Sequence, residues 1–164
     1  MAHNLRKVVI DGPDCAGKST CVEHLKNTLR WDSRSLHHKE GDQFSRYLQE
    51  YASADDVVFD RSHISEQVYS ALWRGGDPFD EKERDILNEV FQYNSIIIFA
   101  CPSLEQMQER YSRRSFQQQI RYDELKDSRD LFVGKMEEIP HFLYTSSTYE
   151  ELDKIILEVC KKLK

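Results

Sequence analysis

The residues with the clearest chemical meaning form one short glycine-containing segment. Residues 12–19 read Gly-Pro-Asp-Cys-Ala-Gly-Lys-Ser, a full match to the nucleotide-binding pattern G-x-x-x-x-G-K-[ST]. Gly12 and Gly17 permit the backbone turns that aim successive N–H groups inward, so the loop forms a nest for anions at the start of a helix. Lys18 would reach the β- and γ-phosphates, and the hydroxyl of Ser19 would ligate Mg²⁺. The segment therefore predicts binding of ATP together with Mg²⁺.

The same loop occurs in kinases, GTPases and motor ATPases, so it does not name the reaction. A GTPase would also need a guanine-reading Asn-Lys-x-Asp segment, and the sequence contains none. Motor ATPases are usually larger and oligomeric, whereas this chain has 164 residues. A kinase that acts on a small molecule is therefore the leading prediction.

A second candidate segment begins with Asp60 and Arg61, directly after the apolar residues 57–59. A carboxylate at the carboxyl end of a strand beside the phosphate loop lies where Mg²⁺ and the attacking oxygen would be. The guanidinium of Arg61 can bind an acceptor phosphate through two parallel hydrogen bonds, which a lysine cannot do. We predict Asp60 as a metal ligand and both residues as catalytic; an exposed ion pair that simply ends a strand is the alternative.

The elements that must position these segments are predicted from apolar runs. Four runs, at residues 8–10, 57–59, 96–99 and 142–144, are continuous rather than alternating, which is typical of strands covered on both faces of a parallel sheet. A fifth, weaker strand is predicted at 35–39. Segments with helical spacing lie between them, and strand–helix–strand repetition implies helices on both faces of the sheet. We therefore predict one α/β domain over residues 1–164.

The composition limits the class of protein further. The chain has 23 Lys and Arg against 29 Asp and Glu, a formal net charge of −6. This balance argues against a protein that holds nucleic acid by charge alone, so no stable nucleic-acid partner is expected. No apolar run approaches the roughly 18 residues of a membrane-spanning helix, and the four cysteines include no Cys-x-x-Cys pair. We expect a cytoplasmic protein without a membrane partner.

The two segments resemble those of thymidylate kinases and of the related deoxynucleoside kinases. Asp60, Arg61, Ser65 and Tyr69 fit the thymidylate kinase pattern D-R-Y-x-x-S-x-x-A-Y, with Ser62 in place of its first tyrosine. Asp-Arg-Ser is also similar to the E-R-S triplet of deoxynucleoside kinases. The resemblance spans the chain in order. It implies a three-layer P-loop kinase fold with a five-stranded parallel sheet, helices on both faces and a short lid, and it allows for a homodimer, which is common in the family.

The resemblance also implies roles on the acceptor side. Asp14 matches an aspartate that contacts the acceptor deoxyribose. Lys39 and Glu40 lie where thymidylate kinases carry R-E-P-G, so Lys39 would hold the acceptor phosphate and Glu40 would be a base or a magnesium-shell carboxylate. Arg74 matches a position that contacts the pyrimidine. The predicted substrate-binding residues are Asp14, Lys39, Glu40, Phe44, Arg61, Ser65, Tyr69 and Arg74.

The segment between the second and third predicted strands is short for this family. It normally supplies an aromatic platform and an arginine, and the candidates left are Phe44, Arg46 and Tyr47. The chain therefore resembles a trimmed member of the family, of the kind that a phage genome encodes, in which case it would act in the host cytoplasm.

Arginines after the fourth strand resemble the family's lid. Cys15 occupies a loop position where some thymidylate kinases place an arginine, so positive charge around the migrating phosphoryl group must come from elsewhere. Arg113 and Arg114 are the predicted catalytic arginines of a lid over about 113–121, and Arg110 would contact adenine or phosphate; a solvated helix face is the alternative. Residues 144–147 are similar to the adenine-side loop. The predicted ATP-binding residues are Gly12, Asp14, Cys15, Ala16, Gly17, Lys18, Ser19, Thr20 and Arg110.

Two adjacent histidines, His37 and His38, end the weak strand candidate. No third ligand is spaced to join them, so a metal role is not predicted. Lining of a polar pocket and plain exposure both stay open.

Together these residues predict ATP- and Mg²⁺-dependent phosphoryl transfer to a deoxynucleoside monophosphate, with dTMP to dTDP as the leading reaction. One alternative is a kinase that phosphorylates a hydroxyl of a nucleoside, of a modified base or of a DNA end, with Glu40 or Asp60 as base. The other is a nucleotide-binding module without turnover.

Overall fold

Five parallel strands form the central sheet of the computed structural model, which describes residues 6–115 and 119–163. Their order across the sheet is β2-β3-β1-β4-β5. The strands are β1 (Lys7–Asp11), β2 (Asp32–Ser35), β3 (Val57–Asp60), β4 (Ser95–Ala100) and β5 (Phe142–Tyr144). The predicted five-stranded parallel sheet is confirmed.

Helices connect the strands and cover the sheet. Those in the described ranges are α1 (Lys18–Leu29), α2 (Gln43–Ala52), α3 (His63–Trp73), α4 (Glu81–Asn94), α5 (Leu104–Arg113), α6 (Leu125–Met136) and α7 (Tyr149–Lys162), with a short 3₁₀ turn at Tyr122–Glu124. None of these helices is long and apolar enough to cross a membrane.

The core lies in two layers, one on each face of the sheet. Neighbouring residues of β1 alternate between them: Val9 packs in the layer with α2, α3, α4 and α6, whereas Val8 and Ile10 pack in the layer with α1 and α7. All five β1 residues are buried. Burial on both faces is the physical reason for the continuous apolar runs of β1, β3 and β4, whereas Leu143 of β5 is exposed. The two core layers give the three-layer α/β architecture that was predicted.

The weak second strand was placed wrongly. It was predicted at 35–39, but β2 covers Asp32–Ser35 and all four of its residues are exposed. β2 is an edge strand that pairs only with β3, from Asp32 opposite Val57 to Ser35 opposite Asp60. An exposed edge strand needs no apolar residues, so hydropathy gives no signal for it.

The topology creates a crevice above the central strands. β1 and β4 are neighbours, but the connection after β1 leads toward β2 and the connection after β4 leads toward β5. In open α/β sheets ligands bind outside the carboxyl ends of strands at such a reversal. Part of the predicted lid borders this crevice; its residues 116–118 lie outside the described residues.

Candidate active site

The phosphate loop joins β1 to α1 in a conformation that its glycines make accessible. Gly12 has φ +147° and Gly17 has φ +87°. A Cβ at Gly12 would stand 2.1 Å from the carbonyl oxygen of Ala100, and one at Gly17 would stand 2.4 Å from Oγ of Ser146. Glycine is therefore needed at both positions, because each has a positive φ and a neighbouring atom that a Cβ would overlap.

Lys18 begins α1 and turns back over the loop. Its Nζ donates to the carbonyls of Gly12 at 2.8 Å and Pro13 at 2.7 Å, and it lies 3.9 Å from Oδ1 of Asp14. Burial, followed by the charge of Arg61, lowers the pKa of Lys18. The ammonium group is thus fixed within the loop that it would serve.

A cavity of about 650 Å³ opens over this loop, and we call it the loop cavity. Its walls are the phosphate loop, the end of α5 and the segment 144–149, together with His37, Asp60 and Arg61. It brings together the predicted ATP-binding residues Asp14, Cys15, Ala16, Gly17, Lys18, Ser19, Thr20 and Arg110. Gly12 is buried beneath the loop and does not line it. Arg113 and Arg114 also line it; Arg113 is exposed and pairs with Glu109 at 2.5 Å.

Arg110 of α5 contacts two other segments at the wall of the loop cavity. Its guanidinium donates to the carbonyl of Cys15 at 3.1 Å, and to the carbonyl and hydroxyl of Ser146 at 2.9 and 3.0 Å. It thus bridges the phosphate loop and the segment after β5. Glu151 of α7 holds that segment from the other side by accepting from the backbone N–H groups of Thr145 at 2.6 Å and Ser147 at 3.2 Å.

Two oxygen ligands suited to Mg²⁺ face the loop cavity. Asp60 ends β3, and its Oδ1 is buried without a hydrogen-bond partner among the described residues. Ser19, on the first turn of α1, lines the same cavity. An orphaned carboxylate oxygen is costly in a protein interior, and a hard cation that takes oxygen ligands would satisfy it. These residues fit Mg²⁺.

The buried carboxylate of Asp11, which was not predicted as a site residue, holds the phosphate loop in place. Asp11 accepts hydrogen bonds from the hydroxyls of Ser62 and Ser65, and from the N–H of Gly12 at 2.8 Å. It therefore ties the phosphate loop to the first turn of α3, and burial raises its pKa. The only signal in the sequence was a charged residue directly before the loop.

Arg61 and Asp14 form an ion pair of 2.8 Å at the edge of the loop cavity. The Arg61 guanidinium also lies over the ring of Tyr69, 5.2 Å from its centroid, and the Tyr69 hydroxyl accepts from the N–H of Asp14 at 3.0 Å. Burial alone would raise the pKa of Asp14, but the charges of Lys18 and Arg61 outweigh it and the pKa is lowered. Asp14 is therefore held as a carboxylate.

A second cavity of about 360 Å³ adjoins the first, and we call it the α3 cavity. It brings together the predicted acceptor-side residues Asp14, Arg61, Ser65, Tyr69 and Arg74, along with Leu36, His37, His38, Glu66, Trp73 and Gln119. The rings of Tyr69 and Trp73 stack with centroids 4.7 Å apart. Asp14, His37 and Arg61 line both cavities, so molecules in the two cavities would meet there. Burial and then the charge of Arg61 lower the pKa of His37.

Glu66 forms a buried polar wall of the α3 cavity and was not predicted. Its Oε1 accepts from Nδ1 of His38 at 2.7 Å, Arg74 at 2.8 Å and Ser70 at 3.3 Å. A third cavity of about 410 Å³, the outer cavity, begins beyond this wall. The only signal in the sequence that could have identified Glu66 was a charged residue within an otherwise buried helix.

Three predicted acceptor-side residues lie elsewhere. Lys39 is exposed and lines neither the loop cavity nor the α3 cavity. Glu40 lines the outer cavity. Phe44 packs against the hydrophobic core. The chain turns at Gly41, with φ +109°, and the Gln43 side chain holds the turn by donating to the carbonyls of Lys39 and Gly41. This turn carries the three side chains away from the crevice.

Solved structures resemble this chain in fold, although no protein-family model and no curated protein matches its sequence. The Bacillus subtilis protein YorR, in complex with phosphorylated GDP, superposes with a TM-score of 0.81 at 18% identity, over 94% of this chain and 95% of that one. Deoxyadenosine kinase from M. mycoides, with products dCMP and dCDP, gives 0.64 at 14% identity over 96% and 100%. Shikimate kinase from Acinetobacter baumannii, in complex with shikimate, gives 0.63 at 19% identity over 99% and 97%.

These neighbours include kinases that are named for chemically different acceptors. The chain therefore has the fold of the P-loop kinases. A nucleoside kinase and a shikimate kinase share this fold, so the acceptor must be inferred from the α3 cavity rather than from the fold.

Proposed function

We propose that this chain is an ATP- and Mg²⁺-dependent kinase that transfers the γ-phosphoryl group to a deoxynucleoside monophosphate. The observation that carries the proposal is the junction of the two cavities at Asp14 and Arg61. ATP in the loop cavity and a nucleotide in the α3 cavity would bring their phosphates together at this point.

The donor side supplies charge and fixed hydrogen-bond donors. The loop amides and Lys18 hold the phosphates of ATP, and the lid arginines Arg113 and Arg114 add positive charge as negative charge develops on the transferred group. Ser19 and Asp60 would hold Mg²⁺, which supplies neutralisation of phosphate charge when bound. Catalysis here is mainly positioning and electrostatics rather than covalent chemistry.

The acceptor side binds a phosphate at one end and a base at the other. Arg61 would hold the acceptor phosphate with its guanidinium fork, and Asp14 would orient the deoxyribose. The stacked pair Tyr69 and Trp73 supplies an aromatic wall for the base, and Arg74 supplies a hydrogen-bond donor at its edge.

Thymidylate is the first acceptor that we propose, on the resemblance of the Asp60-Arg61 segment to thymidylate kinases.

A guanine nucleotide is the second candidate, favoured by Glu66. The carboxylate of Glu66 has three donors on Oε1 and none among the described residues on Oε2. Guanine presents N–H donors at its Watson–Crick edge, and one of them would donate to Oε2. YorR, the neighbour with a TM-score of 0.81, was solved with phosphorylated GDP.

The test is ADP release from ATP and Mg²⁺ against a panel of deoxynucleoside monophosphates and nucleosides, with Lys18→Ala as the inactive control. We expect monophosphate-dependent ADP release that falls at least about 100-fold in Lys18→Ala, because Lys18 is the buried cation of the loop. Turnover with nucleosides alone would move the acceptor to a hydroxyl. ATP binding without turnover on any acceptor would contradict the proposed kinase activity.

A further inference from the structure

His37 differs from the other two residues that line both cavities. Asp14 and Arg61 hold each other at 2.8 Å. The imidazole of His37, in contrast, has no hydrogen bond to any residue that the structure describes. The His37 side chain is exposed, and among the described residues its ring nitrogens have no partner, so its N–H is open to a ligand at the junction of the loop cavity and the α3 cavity.

The backbone around His37 is fixed even though its ring is unpaired. Arg46 donates to the His37 carbonyl at 2.6 Å. At the preceding residue, the N–H of Leu36 donates to the carbonyl of Asp60 at 2.9 Å and the hydroxyl of the buried Tyr47 donates to the Leu36 carbonyl at 3.1 Å. Contacts from two elements, α2 and β3, thus fix the backbone that carries the exposed His37 side chain at the junction.

We propose that His37 is a catalytic residue whose ring N–H donates a hydrogen bond to the phosphoryl group as it passes from ATP to the acceptor. The proposal rests on the proposed kinase activity. The bond between the γ-phosphorus and the β–γ bridging oxygen breaks, its electron pair leaves with ADP, and an acceptor phosphate oxygen forms the new bond. The imidazole keeps its proton throughout.

This contact acts on the transition state rather than on either substrate alone. ATP in the loop cavity would bring its γ-phosphate to the edge of the junction that His37 lines, and the contact strengthens as negative charge develops on the migrating group. An interaction made mainly in the transition state changes kcat and leaves KM nearly unchanged. His38, by contrast, pairs with Glu66 and lines the α3 and outer cavities, so it belongs to the base side.

The first experiment compares steady-state kinetics of His37→Ala, His37→Gln and the control His24→Ala with the acceptor that the panel identifies. His24 lies on α1 and pairs with Asp153. We expect His37→Ala to lower kcat about 100-fold, as removal of one donor to a developing charge does, with both KM values within about twofold. His37→Gln keeps an N–H donor and should recover at least about tenfold of that loss. A His37→Ala enzyme with kcat within threefold of wild type would overturn the proposal.

A second experiment needs no turnover and separates the two proposals. Histidine ring resonances are followed by NMR, with His37 assigned by its loss in His37→Ala, while β,γ-methylene-ATP and Mg²⁺ are added. We expect the His37 resonance to shift and the His24 resonance to stay in place. An unshifted His37 resonance would contradict the proposed contact between His37 and the phosphoryl group. A shifted resonance in a protein that turns over no acceptor would support the contact and contradict only the proposed kinase activity.

Discussion

At the scale of single residues, Arg61 is the side chain whose chemistry cannot be replaced by charge alone. Its guanidinium reaches Asp14 and lies over Tyr69 while it lines both cavities. A lysine would keep the positive charge but would lose the planar fork and the stacking on the ring.

Arg61→Lys is therefore expected to raise KM for the acceptor at least about tenfold and to lower kcat, while KM for ATP changes little, because one fork–phosphate contact is worth about 1.5–3 kcal/mol. The measurement is steady-state kinetics with each substrate varied in turn. Arg34→Lys is the matched control, since Arg34 pairs with Glu50 and Asp55 on the exposed β2 strand. Equal acceptor KM values for Arg61→Lys and wild type would remove Arg61 from the acceptor site.

The sequence predicted the position of the loop between β1 and α1, because a loop motif is encoded by residues that are adjacent in the chain. It did not predict the role of Glu66 or Asp11, because burial of a charge depends on residues that are distant in sequence. Lys39 and Phe44 were predicted at the acceptor site on position along the chain, but the turn at Gly41 directs them elsewhere.

At the scale of elements, the donor side depends on α5 and α7 holding one loop between them. Arg110 of α5 donates to Ser146, and Glu151 of α7 accepts from Thr145 and Ser147. The two anchors bind different groups of a segment that lines the loop cavity.

Glu151→Ala should loosen this segment and raise KM for ATP about tenfold with a smaller change in kcat, because it removes charge-assisted bonds to two backbone N–H groups. Glu158→Ala on the same helix is the control, since Glu158 pairs only with Lys161 among the described residues. The check is ATP-dependent kinetics alongside thermal melting. If both variants raise KM equally, the segment is not positioned by Glu151.

The strands were also predicted well where the signal was local in the sequence and poorly where it was not. The continuous runs of β1, β3 and β4 were recognised because these strands are buried on both faces. β2 was misplaced because its residues Asp32–Ser35 are exposed and carry no apolar pattern.

At the scale of the whole molecule, a buried histidine links stability to pH. His63 is fully buried, with Nδ1 against the Tyr51 hydroxyl at 2.9 Å and Nε2 against Oδ1 of Asn88 at 2.9 Å. Burial lowers its pKa from 6.5 to about 4. The unfolded chain therefore binds a proton at a higher pH than the folded chain does.

The contribution of a neutral His63 is fully present above pH 6.5 and is lost as the pH falls toward 4. The free energy of unfolding should fall in this window by up to about 1.4 kcal/mol per pH unit. Urea denaturation of wild type and His63→Gln at pH 7.5 and 5.0 measures it, and the variant should show a smaller fall. Identical falls in the two proteins would show that His63 is not the linked group.

The two edges of the sheet have a consequence for behaviour at high concentration. An open edge offers unpaired backbone N–H and C=O groups to any other strand, which invites sheet-to-sheet aggregation. β2 places Asp32 and Arg34 along one edge, and β5 limits the other to three residues, of which Leu143 is 52% exposed. Charged side chains on β2 and the short length of β5 therefore disfavour pairing of either edge with a strand of another molecule, and we expect the protein to resist aggregation at high concentration.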